Sequence, residues 1–599
     1  MVLTGGEIVA ECLIAAGVPY VAGIPGHGCL GLADAFTSRQ DRIRVLNVRQ
    51  ENAAVHLADG YYRTCGRPLA AFTSIGPGAC NTVIGAATCF VDSTPAMILT
   101  GGTHLHMFGK GVLQEIERRQ SSDFMNVLKP VVKRSWEAMS AEQMPFIMQR
   151  GLATMMTGRR GPVHVELPMD VQCESADVEI PDMAQRVVDQ RPVPDPDAIE
   201  AAAELLASAK RPLIIAGGGA LYADAAPQLK ELAEHLGAAV ITTLAGKGVF
   251  PETHRLSAWL AGSKGTTCGI ELARSADVIL AVGCRFADET TCSYRHGSSF
   301  AIPPTKLIHL DLTPEEIGKN YPVEVGLVGD AKAGLAAVVD AVKDRVTWGV
   351  EQNEYTAEIA DLRKRWHAEC APLRESSAVP MTMSRLLVEA RAAIPMDAIV
   401  ASSSGNTQAQ ILQEFAFDEP RTCLTTGGFS TMGWTLPAAM GAKLAEPERT
   451  VCGILGDGDF LMSIQELATA VQHEIPVTMV VANNQGFISI KDLQRAVYGD
   501  DRTIGVDFAK ADGTLTTPHL ADAAKAFGCH AERITEPGDV GPAITRAMES
   551  EGPAVVEIMV DREPPASGGG AYGWWDVPVP TYMPDQLGAY NEGRKEERI

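Results

Sequence analysis

The chain has 599 residues, 46% of them hydrophobic, and a formal net charge of −23. That length exceeds what one core supports and allows about three or four domains of ~150 residues. The acidic balance argues against nucleic acid or an anionic membrane surface as partner, and no run of 18 apolar residues offers a membrane span.

The opening stretch, "MVLTGGEIVAECLIAAGV", has no basic n-region, and Glu7 and Glu11 interrupt its apolar residues. It reads as an amphipathic helix, not a signal peptide. "YVAGIPG", "LAAFTSIGPG", "AMILTGG" and "PVHVELP" follow, each a short apolar run ending in Gly or Pro. This is the pattern of parallel strands buried on both faces with helices between them. The rhythm breaks at 174–197, resumes with "RPLIIAGGGA", "AAVITTLAG", "DVILAVGCRF" and "KLIHLDL", and breaks again at 343–380. A third block carries "DAIVASSSGN", "RTVCGILGDGD", "PVTMVVANNQ" and "PAVVEIMV". The expectation is an α/β protein with three doubly wound parallel-sheet domains, at 1–175, 195–345 and 380–565, and a Gly- and Trp-rich tail at 566–599. The first and third blocks have similar strand–loop rhythm, which suggests a shared fold. Thirteen cysteines show no CxxC pair, so neither a zinc site nor a disulfide framework is expected. Reduced, buried cysteines fit a cytoplasmic protein.

The chemistry concentrates in "ILGDGDFLMS" and "VVANNQGF". Asp457 follows an apolar strand directly, and 24 residues separate Gly458 from the pair Asn483-Asn484 at the end of another. The intervening "FLMSIQELATAVQHEI" reads as one amphipathic crossover helix. A right-handed βαβ unit puts both strand ends on the carboxyl edge of the sheet, where ligands bind. Gly456 and Gly458 allow a backbone to approach a phosphate. A carboxylate beside a phosphate requires a bridging cation. Asp457, the Asn484 side chain and the Gly486 carbonyl would supply hard oxygen ligands to Mg2+, or to calcium in its place. Taken alone, GDG favours an Asp capping a helix; the spacing to the Asn pair favours the metal.

This spacing resembles the signature of thiamine-diphosphate enzymes. "GIPGHGCL", "RQENAAVHLADGYYR", "TSIGPGACNT", "VLQEI", "TTGGFSTMGWTLPAAMGAKLA" and "GDGDFLM" resemble the acetolactate synthase superfamily in order, over nearly the whole chain. The resemblance implies a pyrimidine-binding first domain, a nucleotide-binding-like central domain and a diphosphate-binding third domain. It makes Glu51 the acid that hydrogen-bonds the aminopyrimidine nitrogen from an apolar pocket; a Glu favoured by a helix N-terminus is the plainer alternative. Met432 becomes the apolar wedge that bends the cofactor. Ser430 stands where the family has Gly. Gly405, Asn406, Thr407 and Asp459 fall at the diphosphate, and Pro77 and Asn81 near the pyrimidine. Because Glu51 and GDG lie in different blocks, the resemblance implies a homodimer or homotetramer with active sites at the subunit interface.

The resemblance also implies a lyase or carboligase acting on a 2-oxo acid or α-diketone through a thiazolium-bound enamine. Gln114 matches the active-site glutamine of the synthases. His27, where synthases generally have Gly, would relay protons or simply fill a polar pocket. "SIGPG", "LPMDVQ", "GFISIKDLQ" and "GWWDVPVP" resemble instead the trihydroxycyclohexanedione hydrolase of inositol catabolism, so hydrolytic cleavage of a cyclic 1,2-dione is the alternative. The central "IIAGGGA", "GCRFADETT" and "LIHLDLTPEEIGKN" resemble the synthase domain that holds FAD, with Arg285 facing the nucleotide. A degenerate nucleotide site kept as scaffold is the other reading. An idle regulatory relative is the alternative from another class; Glu51, Asp457 and Asn484 argue against it. Trp574 and Trp575 suggest that the tail covers the cleft as a lid, or packs on a neighbouring subunit.

Overall fold

A computed structural model describes residues 1–116, 124–346, 353–562 and 577–596. The tail tryptophans lie outside these residues. Three six-stranded sheets follow one another along the chain, and every strand pairing within them is parallel.

The first sheet contains β1 (Tyr20–Ile24), β2 (Arg44–Asn47), β3 (Ala70–Thr73), β4 (Met97–Gly102), β5 (Arg134–Glu137) and β6 (Val163–Pro168), in the order β2-β1-β3-β4-β6-β5. The second contains β7 (Pro212–Ala216), β8 (Ala239–Thr242), β9 (Ser257–Leu260), β10 (Val278–Val282), β11 (Lys306–Asp311) and β12 (Val325–Val328), in the order β9-β8-β7-β10-β11-β12. The third contains β13 (Ile399–Ala401), β14 (Cys423–Leu424), β15 (Val451–Gly456), β16 (Thr478–Asn483), β17 (His530–Ile534) and β18 (Ala554–Met559), in the order β14-β13-β15-β16-β18-β17. Counted within each sheet, the first and third share the order 2-1-3-4-6-5. The similar rhythm of the two blocks therefore reflects one topology used twice. The second sheet has the order 3-2-1-4-5-6 of dinucleotide-binding folds.

Helix α1 (Gly5–Ala15) forms where the opening stretch predicts one, and Thr4 and Glu7 cap its start reciprocally. Two helices join the outer sheets. In α2 (Glu51–Cys65), Ala53, Ala54, Leu57, Ala58 and Tyr61 are buried. It crosses α5 (Thr435–Ala445), whose Ala438, Ala439 and Ala442 are fully buried. Gly60 and Gly441 are the contact points. A Cβ on Gly60 would stand 2.2 Å from the Ala438 carbonyl oxygen, and one on Gly441 would stand 2.0 Å from that of Leu57. Small residues bring the two backbones together, and one apolar cluster runs from the first domain through this crossing into the third. The second sheet keeps its own core.

All three domains meet at Arg63, near the end of α2. Its guanidinium donates to Asp59 (2.9 Å), to Asp92 at the end of α3 (Val83–Asp92; 2.8 Å), to the Thr425 carbonyl (2.7 Å) and to the Tyr222 hydroxyl (3.2 Å). Trp434 donates to the other oxygen of Asp59, and the Gly428 amide donates to that of Asp92.

One expectation requires correction. The segment after Asp457 is not a single helix: α6 (Asp457–Leu461) and α7 (Glu466–Gln472) are separated by a turn at 462–465. Different anchors hold the two pieces. Asp459 ties α6 to its own domain, whereas buried Glu466 of α7 accepts the Arg49 amide from the first domain at 3.1 Å. All thirteen cysteines are free, and ten are buried. No helix among the described residues is long and apolar enough to cross a membrane.

The close crossing gives a direct test. Gly60→Ala should lower the midpoint of urea unfolding by the equivalent of about 1–3 kcal/mol, the usual cost of overpacking. Ala58, beside it on the helix, can become Gly at a cost of only about 1 kcal/mol of propensity plus one lost methyl contact.

Candidate active site

The third sheet reverses its strand order between β13 and β15, and such a switch point opens a crevice at the carboxyl ends of the strands. Beyond β13, the chain enters α4 (Gly405–Glu414) with Gly405 at φ +78°; Asn406 and Thr407 complete the first turn. The free amides of that turn face the crevice edge and suit an anion. Beyond β15 comes Asp457, and beyond the adjacent β16 comes Asn484, with Gly456 paired to Ala482 across the two strands. A Cβ on Gly456 would lie 3.7 Å from the Thr407 hydroxyl, so the start of α4 and the GDG turn are neighbours.

Two oxygens at this edge are buried without a partner: Oδ2 of Asp457 and Oδ1 of Asn484. Oδ1 of Asp457 accepts the Gly458 amide at 2.9 Å. Burial pushes the Asp457 carboxyl up to about 6, against the pull of the Gly458, Gln485 and Gly486 amides. An orphaned buried acceptor costs about 1–3 kcal/mol, more when charged, so this pair is poised for a cation. Carboxylate, amide oxygen and the nearby Gly486 backbone form a hard-oxygen set that fits Mg2+. It contains a single acid, in keeping with the lack of any cluster of three His, Cys, Asp or Glu metal-ligand candidates among the described residues.

Met432 reaches the same turn. A Cβ on Gly458 would lie 3.5 Å from the Met432 methyl and 2.6 Å from the Phe487 ring, so only Gly leaves that ring its place. The Met432 segment hangs on the first domain through Thr431, whose hydroxyl meets that of Thr88 at 2.7 Å. Ser430 adopts φ +54°, the left-handed region that a glycine occupies without strain. Asp459 stands in the same turn as Asp457. Its carboxylate is buried and accepts from Ser403 (2.6 Å), Thr435 (2.8 Å) and the Gly433 amide, so its side chain braces the crevice from behind.

The remaining expected residues gather at the carboxyl edge of the first sheet. Glu51 begins α2, half-buried, and its Oε2 accepts the Asn81 amide at 2.8 Å. A Cβ on Gly78, in the Pro77–Asn81 turn, would lie 3.2 Å from Glu51 Oε1. Gly76 has φ +70°, and a Cβ there would stand 2.2 Å from the Gln114 carbonyl. Gln114, itself at φ +69°, is thus seated on the loop beyond β3. His27 is exposed at the start of a single turn beyond β1. Its neighbour Gly28 packs on Ile75 of the same β3 loop. The apolar pocket expected around Glu51 is not closed within one chain, because Pro77, Cys80 and Asn81 beside it are exposed. The structure thus forms two groups, one per sheet. Sequence reasoning missed the braces between them: the Asn47 amide donates to His473 at 2.8 Å, and Arg49 and Gln50 engage Glu466 and Gln465. Their only signal is a run of polar residues on an otherwise apolar crossover.

A cavity of about 600 Å3 lies at the switch point of the second sheet. Gly218 and Gly219 beyond β7 and Gly283 and Arg285 beyond β10 line it, with Asp311 at the end of β11. The two strand-end loops touch: a Cβ on Gly217 would lie 2.1 Å from the Gly283 carbonyl. Burial raises the Asp311 carboxyl. Gly428 and Ser430 form the wall toward the third domain.

Comparison with known proteins agrees with this architecture. Models of the thiamine pyrophosphate enzyme N-terminal TPP-binding, central and C-terminal TPP-binding domains match residues 3–122, 199–338 and 403–558. Three domains in that order, with a glycine-rich crevice in the third, define a thiamine-diphosphate-dependent enzyme. A probable acetolactate synthase large subunit of Methanocaldococcus jannaschii is 33% identical over 93% of this chain and 92% of its own length. The acetolactate synthase large subunit of Corynebacterium glutamicum is 32% identical over 94% and 87%. The isozyme 3 large subunit of Escherichia coli K12 is 32% identical over 91% and 92%. The chain belongs to the acetolactate synthase family. These relatives favour the synthase half of the sequence reading over the cyclic-dione hydrolase and the idle relative.

The raised Asp457 carboxyl predicts a pH signature in the apoprotein. A carboxyl whose folded pKa lies near 6 and whose unfolded pKa lies near 3.8 contributes stability below pH ~4 that is lost as pH rises to ~6. Apo Asp457→Asn should therefore melt above apo wild type at pH 7.5, and the gap should close by pH 4. Added Mg2+ and thiamine diphosphate should raise wild type alone. Equal melting of the two apoproteins at both pH values would contradict the assignment.

Proposed function

We propose that the chain is a carboligase that binds thiamine diphosphate through Mg2+ and joins the two-carbon fragment of a decarboxylated 2-oxo acid to a second carbonyl compound. The observation that carries this reading is the pair of orphaned, buried oxygens on Asp457 and Asn484, side by side at the switch point of the third sheet. Asp457, Asn484 and the Gly486 carbonyl would hold the metal, and the metal with the Gly405, Asn406 and Thr407 turn would hold the diphosphate. Met432 would set the angle between the two rings. When bound, thiamine diphosphate supplies an electron sink for the carbanion left by loss of carbon dioxide. Glu51, oriented by Asn81, holds a proton at the pyrimidine nitrogen. Pro77 lies on the same wall. Gln114 faces the reacting end of the pocket, and His27 moves protons there.

The incomplete wall around Glu51 supports an obligate dimer, with the third domain of one chain closing over the first domain of another. The central cavity suits a dinucleotide such as FAD. Asp311 is placed for ribose hydroxyls, Arg285 for the nucleotide, and the glycine loops for a close backbone approach. Free, mostly buried cysteines support a cytoplasmic enzyme.

One experiment tests the chemistry and the assembly together. Glu51→Gln should retain Mg2+-dependent cofactor binding and lose about 10²- to 10⁴-fold in turnover of 2-oxo acids, the usual scale of acid–base catalysis. Asp457→Ala should lose cofactor binding. When the two inactive variants are unfolded and refolded as a mixture, mixed dimers should regain activity at one intact site. Full activity of Glu51→Gln would refute its role, and no regain on mixing would refute the shared site.

A further inference from the structure

The loop that follows β16 makes a left-handed turn at a residue that is not glycine: Gln485 has φ +58°. Such a turn is strained for an L-residue with a side chain, and it persists only where neighbours over-determine it. Two groups do so. From one side the Asn483 side chain accepts the Gln485 amide at 3.1 Å, and Asn483 is itself held by buried Glu557 at 2.8 Å. From the other side comes Arg562, three residues beyond β18. One nitrogen of its guanidinium donates to the Asn484 carbonyl at 2.8 Å and to the Gln485 carbonyl at 3.0 Å. The other pairs with Asp507, which Lys491 also engages at 3.0 Å. The 506–508 segment completes the clamp: Phe508 donates to the Gln485 carbonyl at 3.0 Å, and the Val506 carbonyl accepts from Phe487.

The two carbonyls that Arg562 takes are those of the first and second residues of the loop. The third, at Gly486, remains for a metal, as does the orphaned side-chain oxygen of Asn484. Fixing two successive peptide planes fixes the directions of both neighbouring ligands. We infer that Arg562 is a positioning residue for the metal site: it selects a small octahedral cation by holding the Asn484 and Gly486 oxygens at a set separation. The inference rests on the metal reading above. A fork-shaped donor is required, because a lysine ammonium is a point charge that cannot hold both planes while pairing with Asp507. Mg2+ tolerates little error in ligand placement, whereas Ca2+ accepts irregular shells at longer distances.

The test is a titration of metal-stripped protein at saturating thiamine diphosphate, with tryptophan fluorescence reporting cofactor binding. Wild type, Arg562→Gln, Arg562→Lys and Asp457→Ala are each titrated with Mg2+ and with Ca2+. Half-saturation by Mg2+ should rise about 10- to 100-fold in Arg562→Gln, the usual scale for groups that orient metal ligands. It should rise for Ca2+ by a clearly smaller factor, with an unchanged melting temperature of the apoprotein. Arg562→Lys should recover only part of the loss. Equal weakening for both cations, or a wild-type Mg2+ titration in Arg562→Gln, would overturn the inference while Asp457→Ala still loses binding. Metal-independent cofactor binding in wild type and Asp457→Ala would overturn the underlying metal reading instead.

Discussion

The arrangement of the three domains depends on one buried cation. Arg63 is 4% exposed, and removing a guanidinium from water costs several kcal/mol unless its donors are met. The partners come from everywhere at once: Asp59 and Asp92 from the first domain, Tyr222 from the second, Thr425 from the third. The first domain pairs the charge, and the other two domains supply the remaining acceptors. The same two carboxylates are completed by Trp434 and by the Gly428 amide, so the residues leading into the Met432 segment are placed by the requirement that buried charges be paired. A shift between domains would cost the buried ion pairs their Tyr222, Thr425, Trp434 and Gly428 hydrogen bonds, which makes this contact a specifier of geometry more than a source of stability.

Around that junction, function follows the points where strand order reverses. Each sheet has such a point beside its first strand, between β1 and β3, between β7 and β10 and between β13 and β15, and each is furnished differently. The first has Glu51 and its supporting turn beside it, the second a cavity with glycine loops and a half-buried acid, the third two orphaned oxygens beside a helix N-terminus. The first and third sheets share their strand order, yet a carboxylate stands at opposite tasks on the two: on Glu51 it faces a half-open wall, and on Asp457 it is buried behind it.

Much of this was legible in the chain. Short apolar runs located the four inner strands of each sheet, because strands buried on both faces leave few other patterns; the edge strands β2, β5, β9, β12, β14 and β17 carry no such run. The distance from Asp457 to Asn484 placed both on one edge, because a crossover between adjacent parallel strands has a restricted length. What escaped was tertiary. The helix expected after GDG is broken, because Asp459 and Glu466 obey different partners, and amphipathic periodicity does not register that. Asp459 looked like part of a phosphate site by position alone; its three protein partners lie 24 to 56 residues away in sequence. Arg562 carried no motif at all, since its meaning depends on which carbonyls it meets.

The glycine-on-backbone crossing of α2 and α5 has a consequence for heredity and for engineering. Each glycine is answered by a main-chain carbonyl on the facing helix, and a main chain cannot be exchanged by substitution. No second-site change of side chain can therefore restore what a larger residue at 60 or 441 removes. The two helices form a matched pair: recombination between relatives succeeds when both helices travel together or both stay. A chimaera cut between residues 65 and 435 inherits its fit from the spacing of two backbones, and its success depends on how alike the parents are along those two helices, whatever their similarity elsewhere.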